Sequence, residues 1–155
     1  MKALIQRVKK AKVTVSGELV SEIGPGILTF LGVSHLDTMD DVKWIIEKVS
    51  KLRIFEDDQG KMNLSLLDLK QDHLIVSQFT LYGDCEKGNR PSFISAAKPD
   101  VAKELYEKAI QHSQQLGLNT KGGRFQAHMN VEIDNDGPVT FLIESPQKTT
   151  SHKGF

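Results

Sequence analysis

Ser77 and Thr80, in a polar stretch that also contains Gln78, are the nearest candidates in this sequence for the nucleophile of a hydrolase. They interrupt an apolar stretch, HLIVSQFTL at 73–81, where buried hydroxyl and amide groups cost free energy unless hydrogen bonds satisfy them. Thr80 can act as a nucleophile only if the fold places a base beside it. The alternative interpretation is a strand that ends at the surface, and the GxSxG elbow of serine hydrolases is absent from the sequence.

Arg7 is a second unusual residue, because it shares one face of a predicted strand at 2–8 with Ala3 and Ile5. A guanidinium on an apolar face must either extend to solvent at a sheet edge or donate to carbonyl oxygens, such as those of a constrained loop. The pattern fits both interpretations.

Gly137 and Pro138 form a third unusual feature, in the stretch NDGPVT at 135–140. Residues 135–137 have the composition of a turn, and residues 139–144 have that of a strand. Proline cannot donate a hydrogen bond to a strand ladder. The sequence therefore leaves two roles open for this backbone, a simple turn or a surface that contacts another molecule.

Hydrophobic periodicity predicts the elements that position these residues. Two helices are expected, one over 39–51 and one that starts near Pro99 and stops at Gly117. Strands are expected at 2–8, 12–15, 18–23, 27–33, 73–81, 124–133 and 139–144. This order predicts an α/β fold, a single mixed domain with two β layers and two helices (β/β/α).

Composition limits the partners and the environment of the chain. Its 155 residues include 20 Lys plus Arg and 20 Asp plus Glu, and this balance argues against holding long nucleic acid by bulk electrostatics. A small basic patch could still grip one RNA end, although a cluster such as Lys9, Lys10 and Lys12 is more typical of a solvated surface. There is no membrane-length apolar run, no secretory signal and one cysteine, Cys85, so a cytoplasmic protein is expected.

Metal and cofactor sites are not predicted. The histidines are scattered and show no convincing metal-ligand spacing with one another or with other ligand types. Glycine-rich phosphate-binding motifs are also absent. We therefore expect no metal ion and no other cofactor.

Several stretches of the chain together resemble one known family. They are QRV at 6–8, GPGILTFLGV at 24–33, LRIFEDDQGKMNLSLLD at 52–68, SQFTL at 77–81, KGNRPSF at 87–93 and NDGPVT at 135–140. On these motifs the chain resembles the D-aminoacyl-tRNA deacylases from residue 1 to about residue 145. The pair formed by SQxTL and the later NxGPVT is the most specific part of the resemblance.

The resemblance implies a homodimeric hydrolase with its active sites at the subunit interface. Its substrate would be the ester that joins a D-amino acid, or glycine mischarged on tRNA, to the terminal ribose of the tRNA. Rejection of L-aminoacyl-tRNA would make the activity a chirality proofreading step of translation. The implied partners are the 3′ acceptor end of aminoacyl-tRNA and a second copy of the chain, with no membrane and no DNA. The deacylase domain would span 1–146. The tail at 147–155 lies outside the resemblance, and its polar composition predicts that it is mobile.

The resemblance also assigns the substrate-binding residues. It implies a cis peptide bond between Gly137 and Pro138, and it implies that this dipeptide enters the active site of the other subunit. Two parallel carbonyl groups would bind the substrate's ammonium group, so that an L side chain meets main chain while a D side chain points outward. Arg7 matches the arginine that braces this loop, and Met129 matches a position near the terminal adenine.

The catalytic residues implied by the resemblance lie in SQFTL, as Ser77, Gln78, Phe79 and Thr80. Backbone amides around Gln78 to Thr80 would line the ester carbonyl, and Phe79 would join Met129 near the adenine. Thr80 is either a covalent nucleophile or a positioning residue beside a water that attacks with help from the ribose hydroxyl. We expect the second role, since no obvious general base accompanies Thr80 in the sequence.

One position departs from the family pattern. The residue after Phe125 is usually glycine or alanine in the family, whereas this chain has Gln126. The larger side chain is expected to alter the rim of the pocket or the packing between subunits.

Two other functions are compatible with parts of the sequence. A small-molecule ester or amide hydrolase would use Thr80 as its nucleophile and would cleave free D-amino acid esters as well as the tRNA ester. A non-catalytic module would bind the end of charged tRNA and leave the ester intact. Neither alternative accounts for Pro138 in its turn.

Overall fold

The fold is described for residues 1–146 by a computed structural model. Its strands are β1 (Lys2–Val15), β2 (Glu18–Ile23), β3 (Gly26–Gly32), β4 (Phe55–Glu56), β5 (Met62–Leu64), β6 (Asp72–Ser77), β7 (Thr120–Gly122) and β8 (Asn130–Glu144). Its α-helices are α1 (Met39–Lys51), α2 (Leu66–Leu69) and α3 (Pro99–Gln115), and a 3₁₀ helix covers Phe79–Tyr82. The predicted tail at 147–155 lies outside the described residues.

One six-stranded sheet organises the domain, in the order β2-β1-β3-β6-β7 with β8 paired to β1. Strand β1 is antiparallel to β2, β3 and β8, whereas β3, β6 and β7 run parallel. The sheet curls until its outer strands touch: Ser21 Oγ donates to the carbonyl oxygen of Gly122 at 2.7 Å, and Lys121 Nζ donates to that of Glu22 at 2.8 Å. The mixed α/β domain is confirmed, but the predicted second β layer comes from this curl, and β4 and β5 form a separate two-stranded sheet.

Two apolar cores hold the layers together. The larger core lies between the sheet and the helices, and the smaller one fills the inside of the curl. Helix α1 contributes Val42, Ile45, Ile46 and Val49 to the larger core, at the helical spacing from which it was predicted. Both long helices have the predicted positions, and α3 has its proline in the first turn and Gly117 just beyond its end.

Several predicted strand boundaries are wrong. The strands predicted at 2–8 and 12–15 are one continuous strand, β1, and those predicted around the turn at 135–137 are both parts of β8. Strand β6 ends at Ser77 instead of residue 81, and β8 begins at Asn130 instead of residue 124. The chain therefore turns or coils at two places that the sequence suggested were extended, and both places border the cleft described below.

The short helix α2 was not predicted, so the described residues contain three α-helices instead of two. It begins with a capping box, in which the Asp68 amide donates to Ser65 Oγ at 3.0 Å and the Ser65 amide donates to the Asp68 carboxylate at 2.8 Å. None of the helices within residues 1–146 has both the length and the apolar character needed to span a membrane.

Candidate active site

Arg7 of β1 faces an irregular part of β8 that contains Gly137 and Pro138. On β8, Thr140 pairs with Gln6 and Asn135 pairs with Val8, so that residues 136–139 all stand opposite Arg7. These residues therefore bulge out of the ladder as a loop within one strand, in place of the predicted turn. The peptide bond between Gly137 and Pro138 is cis, as the resemblance implied, and both residues are exposed.

The Arg7 side chain holds this bulge from inside the protein. Only 8% of the side chain is exposed, so the interpretation that it extends to solvent at a sheet edge is wrong. Its Nε donates to the carbonyl oxygen of Asp136 at 3.1 Å, and its Nη1 donates to that of Ile54 at 2.7 Å. The Asp136 carboxylate lies 3.5 Å from the same Nε. Because a guanidinium presents its donors in a fixed fork, Arg7 fixes the bulge relative to the loop before β4.

The other end of the bulge is anchored by its own residues. The Val139 amide donates to Asn135 Oδ1 at 3.0 Å, and the Val139 side chain is buried. Gly137 has a φ of +141°, and a Cβ atom added there would lie 2.6 Å from Val139 Cγ2 and 2.9 Å from the Val139 amide nitrogen. Glycine is therefore required at 137 on steric grounds as well as by its backbone conformation.

The stretch SQFTL leaves the sheet at Ser77 and forms the start of the 3₁₀ helix. Residues 78–81 are therefore not part of the strand that was expected over 73–81. The backbone N–H of Gln78 donates to the Leu31 carbonyl oxygen at 2.8 Å, which connects this turn to β3. The first amides of a helix have no acceptor within that helix. Within residues 1–146 the backbone N–H groups of Phe79 and Thr80 form no hydrogen bond, so they are available to another acceptor.

Gly32 allows the turn at Gln78–Leu81 to pack closely against β3. A Cβ atom at residue 32 would lie 3.0 Å from Leu81 Cβ and 3.1 Å from the Gln78 carbonyl oxygen. A side chain at this position would push the turn away from β3. Gly32 therefore positions the SQFTL backbone without contributing a functional group.

Thr80 is exposed, and its Oγ1 accepts a hydrogen bond from Gln78 Nε2. Within residues 1–146, no histidine, lysine or carboxylate side chain forms a hydrogen bond with the Thr80 hydroxyl. The arrangement supplies an amide donor to this oxygen but no base that would remove its proton. It is the geometry of a positioning residue more than that of an activated nucleophile.

A cleft of about 710 Å³ lies beside this turn. Ser77, Gln78, Phe79 and Met129 line it, so the structure brings together four of the residues that the resemblance assigned to the site. Thr80 stands just outside the lining, and Arg7, Gly137 and Pro138 form a separate group on β1 and β8.

The cleft is markedly aromatic. The ring of Phe93 meets that of Phe79 edge-on, with centroids 5.0 Å apart, and 56% of Phe79 is exposed. Phe125 completes the wall near Met129. Phe93 and Phe125 were not singled out from the sequence, although Phe93 ends the matching stretch KGNRPSF. Exposed aromatic rings beside a thioether form a surface on which a planar base can stack.

The wall that contains Phe125 is backed by Tyr106 of α3, and the centroids of the two rings are 5.9 Å apart. The Tyr106 hydroxyl donates to the Ile75 carbonyl at 2.7 Å and accepts from the Gly123 amide at 2.9 Å. Burial raises the pKa of Tyr106 to about 12, so the hydroxyl keeps its proton and remains a donor at neutral pH. A Cβ atom at Gly123 would lie 2.6 Å from Met129 Sδ, which shows how closely this wall packs.

His73 is buried away from the cleft. Its Nε2 lies 2.7 Å from Thr29 Oγ1 and its Nδ1 lies 2.9 Å from Ser113 Oγ, and desolvation lowers its pKa to about 3. It is a neutral core residue with satisfied nitrogens. Within residues 1–146 no cluster of three or more potential metal ligands is present.

Relatives named as D-aminoacyl-tRNA deacylases are similar to nearly the whole chain. The family model described as "D-Tyr-tRNA(Tyr) deacylase" matches residues 4–144. A "D-aminoacyl-tRNA deacylase" of Myxococcus xanthus is 56% identical over 146 residues, which cover 94% of this chain and 95% of that protein. One of Desulforamulus reducens is 54% identical over 155 residues and covers 100% of both chains.

Two solved structures share the fold of this chain. The "c-Myc DNA Unwinding Element Binding Protein" is 42% identical, with a TM-score of 0.89 over 95% of this chain and 100% of that one. A "probable eukaryotic D-amino acid tRNA deacylase" shares the fold at 18% identity, with a TM-score of 0.80 over 93% of this chain and 98% of that one. Because the family model covers all but the ends of the described residues and the relatives exceed half identity, this chain belongs to the D-Tyr-tRNA(Tyr) deacylase family, whose members are hydrolases that cleave the ester of D-aminoacyl-tRNA.

Proposed function

We propose that this chain hydrolyses D-aminoacyl-tRNA, and glycine mischarged on tRNA, while it spares L-aminoacyl-tRNA, and so proofreads chirality in translation in the cytoplasm. The observation that carries the proposal is the pairing of two features. One is an aromatic cleft bordered by free main-chain amides, and the other is an exposed Gly137-Pro138 bulge held rigidly by Arg7.

The cleft would bind the 3′ end of the tRNA. Phe79 and Met129 offer a stacking surface for the terminal adenine, next to the turn that carries the amides of Phe79 and Thr80. Those amides would donate hydrogen bonds to the ester oxygen as it becomes negatively charged, and such stabilisation is usually the largest single contribution to catalysis of acyl transfer. Water would attack the carbonyl with help from the neighbouring ribose hydroxyl, and the Gln78–Thr80 pair would position the ester.

Chirality would be sorted by main chain. The carbonyl oxygens of Gly137 and Pro138 would bind the substrate's ammonium group, and with that group fixed only one direction is left for the side chain. An L side chain would collide with the backbone of the bulge, whereas a D side chain or a hydrogen would point away. The hydrogen bonds of Arg7 and Val139 support this role, because steric exclusion of an L side chain requires a bulge that does not move when the substrate binds.

The bulge and the cleft would come from different subunits of a homodimer. Gly137 and Pro138 are exposed and do not line the cleft of their own chain. Strand β8 also exposes Ile133, Phe141 and Leu142, to 40%, 42% and 57%. Apolar side chains of this kind along an outer strand suit burial against a second copy. Association along β8 would carry each bulge to the partner's cleft.

Hydrolysis of matched substrates tests the proposal. Purified protein is incubated separately with D-tyrosyl-tRNA, L-tyrosyl-tRNA and the free ethyl ester of D-tyrosine, and released tyrosine is measured. We expect release from D-tyrosyl-tRNA alone. Equal release from both tRNAs would remove the stereochemical argument, cleavage of the free ester would favour a small-molecule esterase, and binding without release would favour an RNA-end binding module.

A further inference from the structure

Gln126 occupies an unfavourable backbone conformation in the wall of the cleft. The Ala127 amide donates to the Arg124 carbonyl at 3.2 Å, which makes Gln126 the third residue of a tight turn. Its φ is +62°, a conformation that side chains of L-residues rarely adopt and that glycine adopts freely. The side chain is exposed and forms no hydrogen bond with any residue in 1–146. No contact within the described fold therefore compensates for glutamine at this position.

The surroundings of Gln126 indicate what its amide could bind. It lines the same cleft as Phe79, Phe93, Phe125 and Met129, whose aromatic and thioether groups suit a stacked base. Stacking leaves the edge of a base unpaired, because the rings contact only its faces. A glutamine amide carries an acceptor and a donor side by side, and adenine presents a matching amino donor and ring-nitrogen acceptor along one edge.

We propose that Gln126 reads the edge of the terminal adenine, accepting from its 6-amino group and donating to the adjacent ring nitrogen. This inference rests on the proposed function, since it takes the 3′ end of tRNA as the occupant of the cleft. It makes Gln126 a specificity-determining residue in this chain. With glycine or alanine at this position, the aromatic side chains of the cleft would still stack on the base, but nothing at residue 126 would hydrogen-bond to its edge. It also gives a reason for the strained backbone, because residues held in sparsely populated conformations concentrate at binding sites.

Binding of free nucleosides tests the inference without hydrolysis. Adenosine and purine riboside, which differ only in the 6-amino group, are titrated into wild-type protein, Gln126→Ala and Gln126→Gly, and binding is followed by NMR. We expect wild-type protein to prefer adenosine by about 2- to 10-fold, the range for one hydrogen bond, because purine riboside keeps the ring nitrogen and lacks only the amino group. Both variants should lose this preference equally, because both lack the amide, although only the glycine variant relieves the backbone strain.

The outcomes separate this inference from the proposed function. If wild-type protein shows no preference for adenosine, or if Gln126→Ala keeps it, the inference is wrong. D-tyrosyl-tRNA hydrolysis, measured on the same preparations, decides the proposed function independently. If Gln126→Gly keeps the preference and Gln126→Ala loses it, the shape of the turn matters and not the amide, which also contradicts the inference.

Discussion

The Nε atom of Arg7 lies 3.1 Å from the carbonyl oxygen of Asp136, a residue 129 positions later in the chain. The same guanidinium reaches the carbonyl of Ile54 at 2.7 Å, so one side chain joins β1, the segment before β4 and the bulge of β8. The bulge itself is exposed, whereas its support is buried. The bulge is therefore an exposed loop that is held in place by a buried side chain. Steric exclusion of L-aminoacyl groups requires a loop that is fixed in this way.

Replacing Arg7 with lysine tests this support. Lysine keeps the charge but cannot donate in two directions from a planar fork, so a buried carbonyl of Asp136 or Ile54 loses its partner. We expect the free energy of unfolding in urea to fall by about 1–3 kcal/mol. Turnover of D-tyrosyl-tRNA should fall on the order of 10- to 100-fold, since the loop would no longer be held in place. Arg90→Lys, at an exposed position, is the matched control for stability; equal effects of the two changes would contradict the prediction.

Adding one methyl group at Gly32 should displace the SQFTL turn. The new Cβ atom would lie 3.0 Å from Leu81 Cβ and 3.1 Å from the Gln78 carbonyl oxygen. We expect Gly32→Ala to lower kcat/KM for D-tyrosyl-tRNA on the order of 10-fold or more, because the amides beside the ester move. Gly24→Ala is the control, since its Cβ atom would meet only Asp72 Oδ2 at 3.8 Å. Indistinguishable kinetics for the two variants would show that the turn's approach to β3 has no functional role.

Thr80→Ala distinguishes the two roles of the hydroxyl. The side-chain amide of Gln78 donates a hydrogen bond to the Thr80 hydroxyl, and within the described residues no basic side chain forms a hydrogen bond with that hydroxyl. We therefore expect the variant to keep its activity within about 10-fold of wild type in single-turnover assays, as for a group that only positions the ester. Loss of activity by several orders of magnitude, or a trapped acyl-enzyme in the wild-type protein, would identify Thr80 as the nucleophile.

His73 should make stability depend on pH. Its pKa is about 3 in the folded protein and near 6.5 when the chain is unfolded, because burial disfavours the imidazolium. Below pH 6.5 the unfolded chain therefore binds a proton that the native state does not bind, so stability falls as pH falls. Between pH 7 and pH 5 the loss from this group is about 2 kcal/mol.

The measurement for His73 is the free energy of unfolding across that pH range. We expect the slope to become smaller by one proton in His73→Gln, whatever that variant's stability at pH 7. His35→Gln, at an exposed histidine, should leave the slope nearly unchanged. If the His73 variant kept the wild-type slope, the histidine would be protonated equally in both states.

Local patterns were sufficient for much of this fold. Helices α1 and α3 were predicted closely because each shows an apolar stripe at helical spacing together with a clear stop or start signal. The position of Arg7 on an apolar strand face marked it as unusual but left open whether the side chain extends to solvent or donates to carbonyl oxygens, and the structure shows the second. A polar residue within an apolar pattern can be recognised from the local sequence, but the local sequence does not show which residues it contacts.

The features that were missed depend on contacts distant in sequence. Residues 135–137 have turn chemistry, but both flanks pair with β1, so the chain bulges there and does not reverse. The apolar run at 73–81 suggested one strand, whereas β6 ends where the tie between Gln78 and Leu31 bends the backbone. The cleft gathers Phe79, Phe93 and Met129 from three parts of the chain, and no periodicity within a single segment reports such an assembly.

Mixed dimers test the central claim most directly, namely that one protomer's bulge completes the other's cleft. One variant carries a damaged cleft, Phe79→Ala with Met129→Ala, and the other carries Gly137→Ala, whose Cβ atom would collide with Val139. In a random 1:1 mixture, half of the dimers are heterodimers, and each of these has one site with an intact cleft and an intact bulge. The account predicts that mixing two inactive proteins restores D-tyrosyl-tRNA hydrolysis to about a quarter of the wild-type level. If the mixture stays as inactive as its components while heterodimers are shown to form, the cleft and the bulge act within one chain and the account is wrong.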